Sequence, residues 1–365
     1  MQYTKYCVRR LTTIFQHVLA SADSMLYTGA VSNQNIGDEA MYEAVRSYFE
    51  PLPVVGAKPP KRLPFLARHM ERKRHLATIL GGGTLILRED TDCLSRFFEQ
   101  YVAACDRSER SIVFGTGVGS VRDPETELAH WKPHLERCHF IGVRGPDSRQ
   151  ALSRLGIMSK VIGDPAACFV QAEGRWNPDR KRLLGVNIGH IVWDAPCPSQ
   201  QPLNRALAEF ISVQIRRGWQ VEFFCVWPAD MPVIETVAAM AGIKTPVVRC
   251  HFFDGASFVH DVGRLSAFVG MKLHSGILAM CAGVPTILIR YSAKCMDYMK
   301  SVNMARFCPD VGEASAGLLD SLFDELLKDS GAVSRCVLER LNSYRARQHE
   351  TSQQLRRWLL NGSAA

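Results

Sequence analysis

The chain has 365 residues, of which 47% are hydrophobic and 22% are charged, and its formal net charge is +8. This composition is that of a folded globular protein and excludes a disordered or collagen-like chain, while the length fits about two domains of ordinary size. The most apolar segment, residues 275–289, is interrupted by Gly283 and Pro285, so no transmembrane helix is predicted.

Residues 1–23 are predicted to form an amphipathic helix. Lys5 and Arg9 precede an apolar run, as in a signal peptide, but Thr12 and Gln16 interrupt that run. We therefore favour a helix that packs on the protein body or contacts a membrane surface.

Short apolar runs alternate with amphipathic segments through residues 24–172. The predicted strands are residues 25–29, 77–80, 111–115, 140–144 and 160–163, and the predicted helices are 39–49, 93–105, 125–137 and 146–155. This alternation predicts a parallel sheet with helices on both faces. We interpret residues 24–172 as an N-terminal Rossmann-like domain.

The alternation resumes after a polar segment, residues 171–181, which is interpreted as a linker. The predicted strands are residues 183–188, 220–226, 246–250, 267–270 and 286–290, and the predicted helices are 203–217, 232–241, 256–265, 275–282, 293–302, 316–328 and 333–360. Residues 182–330 form a second Rossmann-like domain in this interpretation, and residues 331–361 form a helix that packs back toward the first domain. The predicted fold class is α/β, with two Rossmann-like domains facing across a cleft and C-terminal helices.

The twelve cysteines include no C-x-x-C pair, which argues against a zinc knuckle and a thioredoxin-type site. Cys168, Cys225 and Cys281 have apolar neighbours and are interpreted as buried free thiols. Free thiols are typical of a reducing compartment, so we predict a cytoplasmic protein and no metal site.

A strongly basic segment covers residues 58–75, where seven Lys or Arg side chains accompany the single acid Glu71. Such a surface suits nucleic acid, anionic lipid or phosphorylated substrates, although a solvated loop and helix face is an equal alternative. No nucleic-acid-binding motif accompanies the segment, so no nucleic-acid partner is predicted.

Ligands of doubly wound sheets bind beyond the carboxyl ends of the strands, and two loops there are informative. In the first, Asn35 and Asp38 stand at the start of a helix, where backbone N–H groups bind anions and these side chains can hold hydroxyls. The alternative is that they cap the helix. In the second, Gly82 and Gly83 follow a strand and let the backbone approach a ligand, the alternative being a tight turn.

Two further loops follow strands of the first half. Residues 115–119 read G-x-G-x-G rather than G-x-G-x-x-G, and His139 stands near the position of the expected acid, so we exclude a nicotinamide site. Arg144 leaves a strand before a helix that begins with Pro146, and its guanidinium suits a carboxylate or phosphate. A structural salt bridge is the alternative.

The richest loop of the second half, residues 270–276, contains Lys272, His274 and Ser275. His274 lies in the first turn of a helix, whose positive end favours a neutral imidazole that can exchange protons. Lys294 follows the neighbouring strand and is predicted to lie close to His274. Together these side chains predict a small substrate with several negative charges.

In this order the motifs resemble the polysaccharide pyruvyl transferase family over about residues 25–300. The matching positions are residues 35–40, 81–83, Arg144 and Gly145 with Ser148 and Leu152, 163–166, 270–274, Ala279 with Gly283 and Pro285, and Tyr291 with Lys294. Family members usually carry arginine two residues before the histidine. Lys272 keeps that charge but lacks the bidentate guanidinium.

The resemblance implies a GT-B-like fold and a ketal-pyruvyl transferase that moves pyruvate from phosphoenolpyruvate onto two saccharide hydroxyls, in bacterial-type cell-surface or exopolysaccharide biosynthesis. On this basis we assign His274 the acid/base role, Arg144 and Lys294 the phosphate and carboxylate, and Asp38 the acceptor sugar or its hydroxyl proton. The resemblance implies that residues 24–172 form the acceptor side and residues 182–330 the donor side. Asn35, Gly82, Gly83, Lys272 and Ser275 are further expected substrate contacts. No cofactor beyond the donor is implied.

Two alternatives remain open: a GT-B glycosyltransferase that uses a nucleotide sugar, and a basic adaptor that binds through residues 58–75. The basic segment and the N-terminal helix also suggest a lipid-linked acceptor, with the protein peripheral at the inner face of a membrane. The sequence sets no oligomeric state.

Overall fold

The computed structural model describes residues 2–57, 64–88, 95–171, 182–191 and 200–361. The chain forms two compact units. Unit 1 comprises Met1–Asn33, Asp38–Pro165 and Tyr344–Ala365, and unit 2 comprises Gln34–Gly37 and Ala166–Ser343.

Unit 1 is built on a parallel sheet of short strands. The strands are β1 Met25–Thr28, β2 Val54–Gly56, β3 Ala77–Leu80, β4 Gly83–Ile86, β5 Ser111–Val118, β6 Phe140–Val143 and β7 Lys160–Val161. The helices are α1 Gln2–Leu19, α2 Ile36–Phe49, α3 Pro64–Arg72, α4 Ser95–Cys105, α5 Pro124–Glu127, α6 Lys132–Leu135 and α7 Pro146–Arg154.

The sheet of unit 1 has the order β2-β1-β3-β5-β6-β7, and β4 also pairs with β5. Met25 of β1 lies opposite both Val54 and Ala77, in parallel register. β1 and β3 are buried along their whole length because elements cover both faces of the sheet, as their unbroken apolar sequences predict.

Unit 2 repeats this construction. Its strands are β8 Leu183–Asn187, β9 Gln220–Cys225, β10 Val248–Cys250, β11 Ala267–Gly270 and β12 Thr286–Leu288. Its helices are α8 Gln200–Arg216, α9 Met231–Met240, α10 Gly255–Val262, α11 Leu273–Cys281, α12 Ala293–Ser301 and α13 Ala316–Lys328. All pairs are parallel, in the order β10-β9-β8-β11-β12.

The long helix α14, Ser330–Asn361, supplies residues to both units. In unit 1, the buried Gln348 side chain donates hydrogen bonds to the carbonyl oxygens of Ile162 and Asp164, each at 2.9 Å. Arg347 donates to the carbonyl of Val161 at 2.6 Å. These bonds satisfy carbonyl groups of the last residue of the short strand β7 and of the residues that follow it.

The described helices and strands agree with most of the predicted ones and differ in two ways. β2, β4 and α3 were not predicted, because β2 has only three residues and β4 begins inside the glycine run. The helix predicted over residues 125–137 is instead two short helices separated by a 3-10 turn, Ala129–Trp131. Pro133 has no N–H to continue a helix, so a new one starts beside it.

Some predictions fall on residues outside this description. The proposed linker is described only at Gln171, and residues 58–63 of the basic segment are not described. Within the described residues, Cys225 and Cys281 are buried free thiols as predicted, whereas Cys168 is partly exposed. None of the described helices combines the length and apolar character needed to cross a bilayer.

Candidate active site

The sheet of unit 2 reverses its strand order between β8 and β11, because β9 and β10 extend it on one side and β12 on the other. Such a switch point, at the carboxyl ends of the strands, is where open α/β sheets bind ligands. The polar and aromatic side chains that follow β8, β9, β11 and β12 are Asn187, Trp227, Asp230, Lys272, His274, Ser275, Tyr291 and Lys294.

Lys272 lies at the centre of this group. Its backbone N–H donates to Asn187 Oδ1 at 3.0 Å, and its Nζ donates to the carbonyl oxygen of His190 at 2.9 Å. The ammonium lies 5.4 Å from the ring centroid of Trp227 and 5.9 Å from that of Tyr291, within cation–π range. The side chain is therefore held at both ends.

Asp230 is the counter-charge of Lys272. Its Oδ1 lies 3.4 Å from Lys272 Nζ and accepts the N–H of His190 at 3.0 Å, and the carboxylate is fully buried. A Cβ at Gly189 would lie 2.3 Å from both Asp230 Oδ1 and Lys272 Cε, so the pair requires glycine there. Burial raises the pKa of Asp230 and lowers the pKa of Lys272, while their mutual attraction opposes both shifts.

Lys294 joins Lys272 at the Tyr291 ring. Its Nζ lies 4.9 Å from the centroid, in the first turn of α12. The positive charge of Lys294 lowers the pKa of Lys272 further, after the larger effect of burial. Two ammonium groups near one ring repel each other, so an anion between them would stabilise both.

His274 is the second residue of α11 and packs against the beginning of α2. A Cβ at Gly37 would lie 2.2 Å from His274 Nδ1, so the imidazole occupies the space that only glycine leaves there. The N–H of Ile36 donates to the carbonyl of Val226 at 3.1 Å, which ties the segment Gln34–Gly37 to unit 2. The predicted first loop and the predicted histidine therefore meet through Gly37.

Ser275 is buried beneath this group. Its hydroxyl lies 2.8 Å from Asn187 Oδ1 and 2.7 Å from the carbonyl oxygen of Lys272. Since a hydroxyl has one proton to donate, it alternates between these two acceptors. Ser275 thus joins the ends of β8 and β11, and its predicted substrate contact remains a prediction.

The loop after β1 combines capping with strained backbone. Asn35 Oδ1 accepts the N–H of Gly37 at 2.9 Å, the helix-capping alternative considered from the sequence. Asp38 Oδ2 accepts from the Asn33 side chain at 3.4 Å. Ser32 and Gln34 have φ of 55° and 58°, a left-handed conformation that costs energy in non-glycine residues and clusters at functional loops.

Tight packing explains the glycine run after β3. A Cβ at Gly81 would lie 1.9 Å from the Tyr27 ring, and one at Gly82 would lie 2.3 Å from the sulfur of Met41. Gly83 has φ of +113°, which side chains rarely adopt. The run is required by neighbouring side chains and by the turn, and ligand contact by Gly82 and Gly83 remains a prediction.

Arg144 is fully buried in unit 1. Its Nη2 donates to Thr84 Oγ1 at 3.0 Å, and its Nη1 lies 3.8 Å from Asp164 Oδ2. A Cβ at Gly117 would lie 2.3 Å from Nη2, so the G-x-G-x-G loop makes room for the guanidinium. Among the described residues, Nε and Nη1 have no hydrogen-bond acceptor. The structural ion pair is therefore present, and two buried donors are left for an anion.

The sequence predicted Lys272, His274 and Lys294 but missed Asp230, Asn187 and Trp227. Asn187 is the last residue of β8, and Trp227 lies just after β9. Their positions at or just after the carboxyl end of an apolar strand were the feature from which the sequence could have predicted them. Across the described ranges, no group of three or more His, Cys, Asp or Glu side chains converges as metal ligands would.

A family model described as polysaccharide pyruvyl transferase matches residues 35–293. The chain belongs to the polysaccharide pyruvyl transferase family. The matched region includes the start of α2, Arg144, Asp230, Lys272 and His274, and ends at Ala293, the residue before Lys294. No curated protein significantly matches the chain.

Similar solved structures establish the fold of the chain. They include an S. aureus MnaA–UDP co-structure (TM-score 0.62, 10% identity, covering 94% of this chain and 98% of that one). A putative UDP-N-acetylglucosamine 2-epimerase from Listeria monocytogenes has a TM-score of 0.57 at 13% identity, covering 94% and 98%. The Neisseria meningitidis UDP-GlcNAc 2-epimerase bound to UDP-GlcNAc has a TM-score of 0.51 at 10% identity, covering 88% and 94%. The predicted α/β, GT-B-like class with C-terminal helices is confirmed.

Proposed function

We propose that this pyruvyl transferase moves pyruvate from phosphoenolpyruvate onto two hydroxyls of a saccharide, forming a cyclic ketal. The observation that carries the proposal is the convergence of Lys272 and Lys294 on Tyr291, at the switch point that also holds His274. Phosphoenolpyruvate has a phosphate ester and a carboxylate on the same carbon, and two nearby cations match that charge distribution.

His274 is the acid and base of the proposed reaction. Protonation of the methylene carbon of the donor makes its second carbon electrophilic, and a saccharide hydroxyl adds there. The carbon–oxygen bond to phosphate then breaks, and the second hydroxyl closes the ring. One hydroxyl proton ends on the new methyl group and the other leaves with phosphate, so the reaction balances without a redox partner.

The family resemblance supplies the roles of the residues on unit 1. Arg144 binds the donor phosphate or carboxylate, and that role is supported by its buried Nε and Nη1, which have no hydrogen-bond acceptor in the described part of the chain. Asp38 binds the acceptor saccharide and its hydroxyl groups. Lys272 replaces the arginine usual in the family and contributes a single ammonium, which Asp230 orients.

The direct test is incubation with phosphoenolpyruvate and a panel of free and lipid-linked saccharides, followed by mass spectrometry. The expected product is heavier than the acceptor by one pyruvate less one water, with release of phosphate. We expect His274→Ala to slow turnover by about 10²–10⁴-fold, the usual contribution of general acid–base catalysis. His260→Ala, at an exposed histidine of α10, is the matched control.

The competing assignment is a glycosyltransferase that uses a nucleotide sugar. It predicts that a nucleoside diphosphate, and not phosphoenolpyruvate, raises the melting temperature. Near-normal turnover of His274→Ala would overturn the role assigned to the imidazole. Glycosyl transfer without any pyruvylated product would overturn the function itself.

A further inference from the structure

Helix α1 presents an apolar stripe to the surface of unit 1. Val8, Leu11, Phe15 and Leu19 are 49–80% exposed, and their spacing of three or four residues places them on one helix face. We call these four residues the α1 stripe. Scattered exposed apolar side chains are common, but four in a line on one helix are not expected of a surface that meets only water.

The opposite face of α1 is firmly anchored. Ile14 and His17 are buried, and His17 Nδ1 lies 2.8 Å from the carbonyl oxygen of Gly56. At the end of the helix, Lys73 Nζ donates to the carbonyls of His17 and Val18 at 3.2 and 2.8 Å. The helix therefore cannot turn the α1 stripe inward without breaking these bonds.

The α1 stripe continues into an open groove of about 790 Å³. Pro53, Val54 and Val55, at the edge strand β2, line the groove together with the stripe, and Arg46 contributes a cation to it. The apolar surface is thus a continuous face of helix and sheet edge.

Basic side chains accompany this apolar face. Helix α3 packs against α1 and exposes Phe65, and the exposed arginines Arg68, Arg72 and Arg74 lie on α3 or just after it. An aligned row of apolar side chains with nearby arginines is the pattern of helices that lie in the interface of anionic bilayers.

We propose that the α1 stripe and its groove dock on an anionic lipid bilayer. Charge decides between this occupant and a second copy of the chain. Two copies would bring like-charged arginine clusters together, in a protein with a formal net charge of +8, whereas anionic headgroups neutralise them. The inference does not depend on the proposed chemistry.

The test is co-sedimentation with vesicles of phosphatidylcholine alone or mixed with phosphatidylglycerol. The stripe variant is Leu11→Gln, Phe15→Gln and Leu19→Gln, which leaves the anchoring face intact. We expect the wild-type chain to bind the mixed vesicles, more weakly at high salt, and the stripe variant to bind at least about tenfold more weakly. Lys73 is kept unchanged because it caps α1.

The matched control removes three other exposed apolar side chains, with Met158→Gln, Met240→Gln and Val247→Gln. Equal binding of the stripe variant and the wild type would overturn the proposal, and so would equal losses in the stripe variant and the control. A wild-type dimer that the stripe substitutions convert to monomer, without vesicle binding, would show that a second copy covers the face. Turnover on a soluble acceptor should be the same in both variants, which separates this test from that of the chemistry.

Discussion

At the residue scale, Gly37 leaves room for the imidazole of His274, and we expect it to determine where that ring lies. A Cβ added at Gly37 would lie 2.2 Å from His274 Nδ1, which is too close for the imidazole to keep its position. We therefore expect Gly37→Ala to displace the ring and to reduce turnover by about 10²-fold, the usual effect of a misplacement near 1 Å. Phosphate release from phosphoenolpyruvate in the presence of acceptor is the measurement.

Gly317→Ala is the control for this substitution. Nothing lies within 4 Å of a Cβ at Gly317, near the start of α13. The control should therefore keep full turnover. If Gly37→Ala is equally active, the imidazole position is not what Gly37 protects.

Asp230 should set the pH range over which Lys272 is charged. Burial lowers the pKa of Lys272, and the Asp230 carboxylate is the main influence raising it. Asp230→Asn removes that charge, so the pKa of Lys272 falls and the ammonium is lost at lower pH. We expect the KM for phosphoenolpyruvate to rise about tenfold and its increase on the alkaline side to begin at lower pH.

The pH profile separates this role from a structural one. A variant that merely loosens the fold would lose activity at every pH without moving the alkaline limb. Asp320→Asn, on α13, removes an ion pair with Arg217, the residue just after α8, and should leave the profile unchanged. An unshifted alkaline limb in Asp230→Asn would contradict the positioning role.

At the residue scale, the sequence predicted the cations and the histidine because each follows an apolar strand directly. Asp230 was not predicted because it lies within a 3-10 turn, Pro228–Asp230, far from Lys272 along the chain. The two side chains are brought together only because the strands that precede them belong to the same sheet. Nor did the sequence indicate that Tyr27 and Met41 pack against Gly81 and Gly82. Packing of distant side chains leaves no local signal in a sequence.

At the element scale, helix α14 carries the buried side-chain amide of Gln348, and we expect its removal to destabilise unit 1 alone. Gln348 donates to the carbonyls of Ile162 and Asp164 and is fully buried. Gln348→Ala leaves both carbonyls without this donor, and we expect unit 1 to lose about 1–3 kcal/mol of unfolding free energy. Urea-dependent hydrogen exchange, followed peptide by peptide, measures this loss.

The matched control on the same helix is Gln354→Ala, at an exposed position. It should change the unfolding free energy by no more than about 0.5 kcal/mol. Peptides from β8 and β11 should keep their protection in both variants. Equal destabilisation of those strands would show that the amide supports the whole chain rather than unit 1.

The long elements were predictable because their apolar periodicity is strong, as in α13, whose bounds agree with the prediction. Short ones were not, because β2 offers three residues and its place at the sheet edge depends on pairing with β1. Pro133 was a visible breaker, and the helix predicted across it was wrong.

At the scale of the whole molecule, alternating strands and helices were enough to predict two parallel α/β sheets. The order of strands within each sheet was not predictable, because it depends on which face each crossover helix covers. That order places the switch point of unit 2 between β8 and β11. Lys272 follows β11, so the strand order is what places it in the candidate active site.

The division of helix α14 has a consequence for biosynthesis. Every residue of unit 2 has been synthesised once Ser343 is added to the growing chain, whereas residues 344–361 of unit 1 have not. Until Gln348 is synthesised, the carbonyl groups of Ile162 and Asp164 lack the side-chain donor that they have in the folded protein. The half of the protein that contains Arg144 starts first during translation and is completed last.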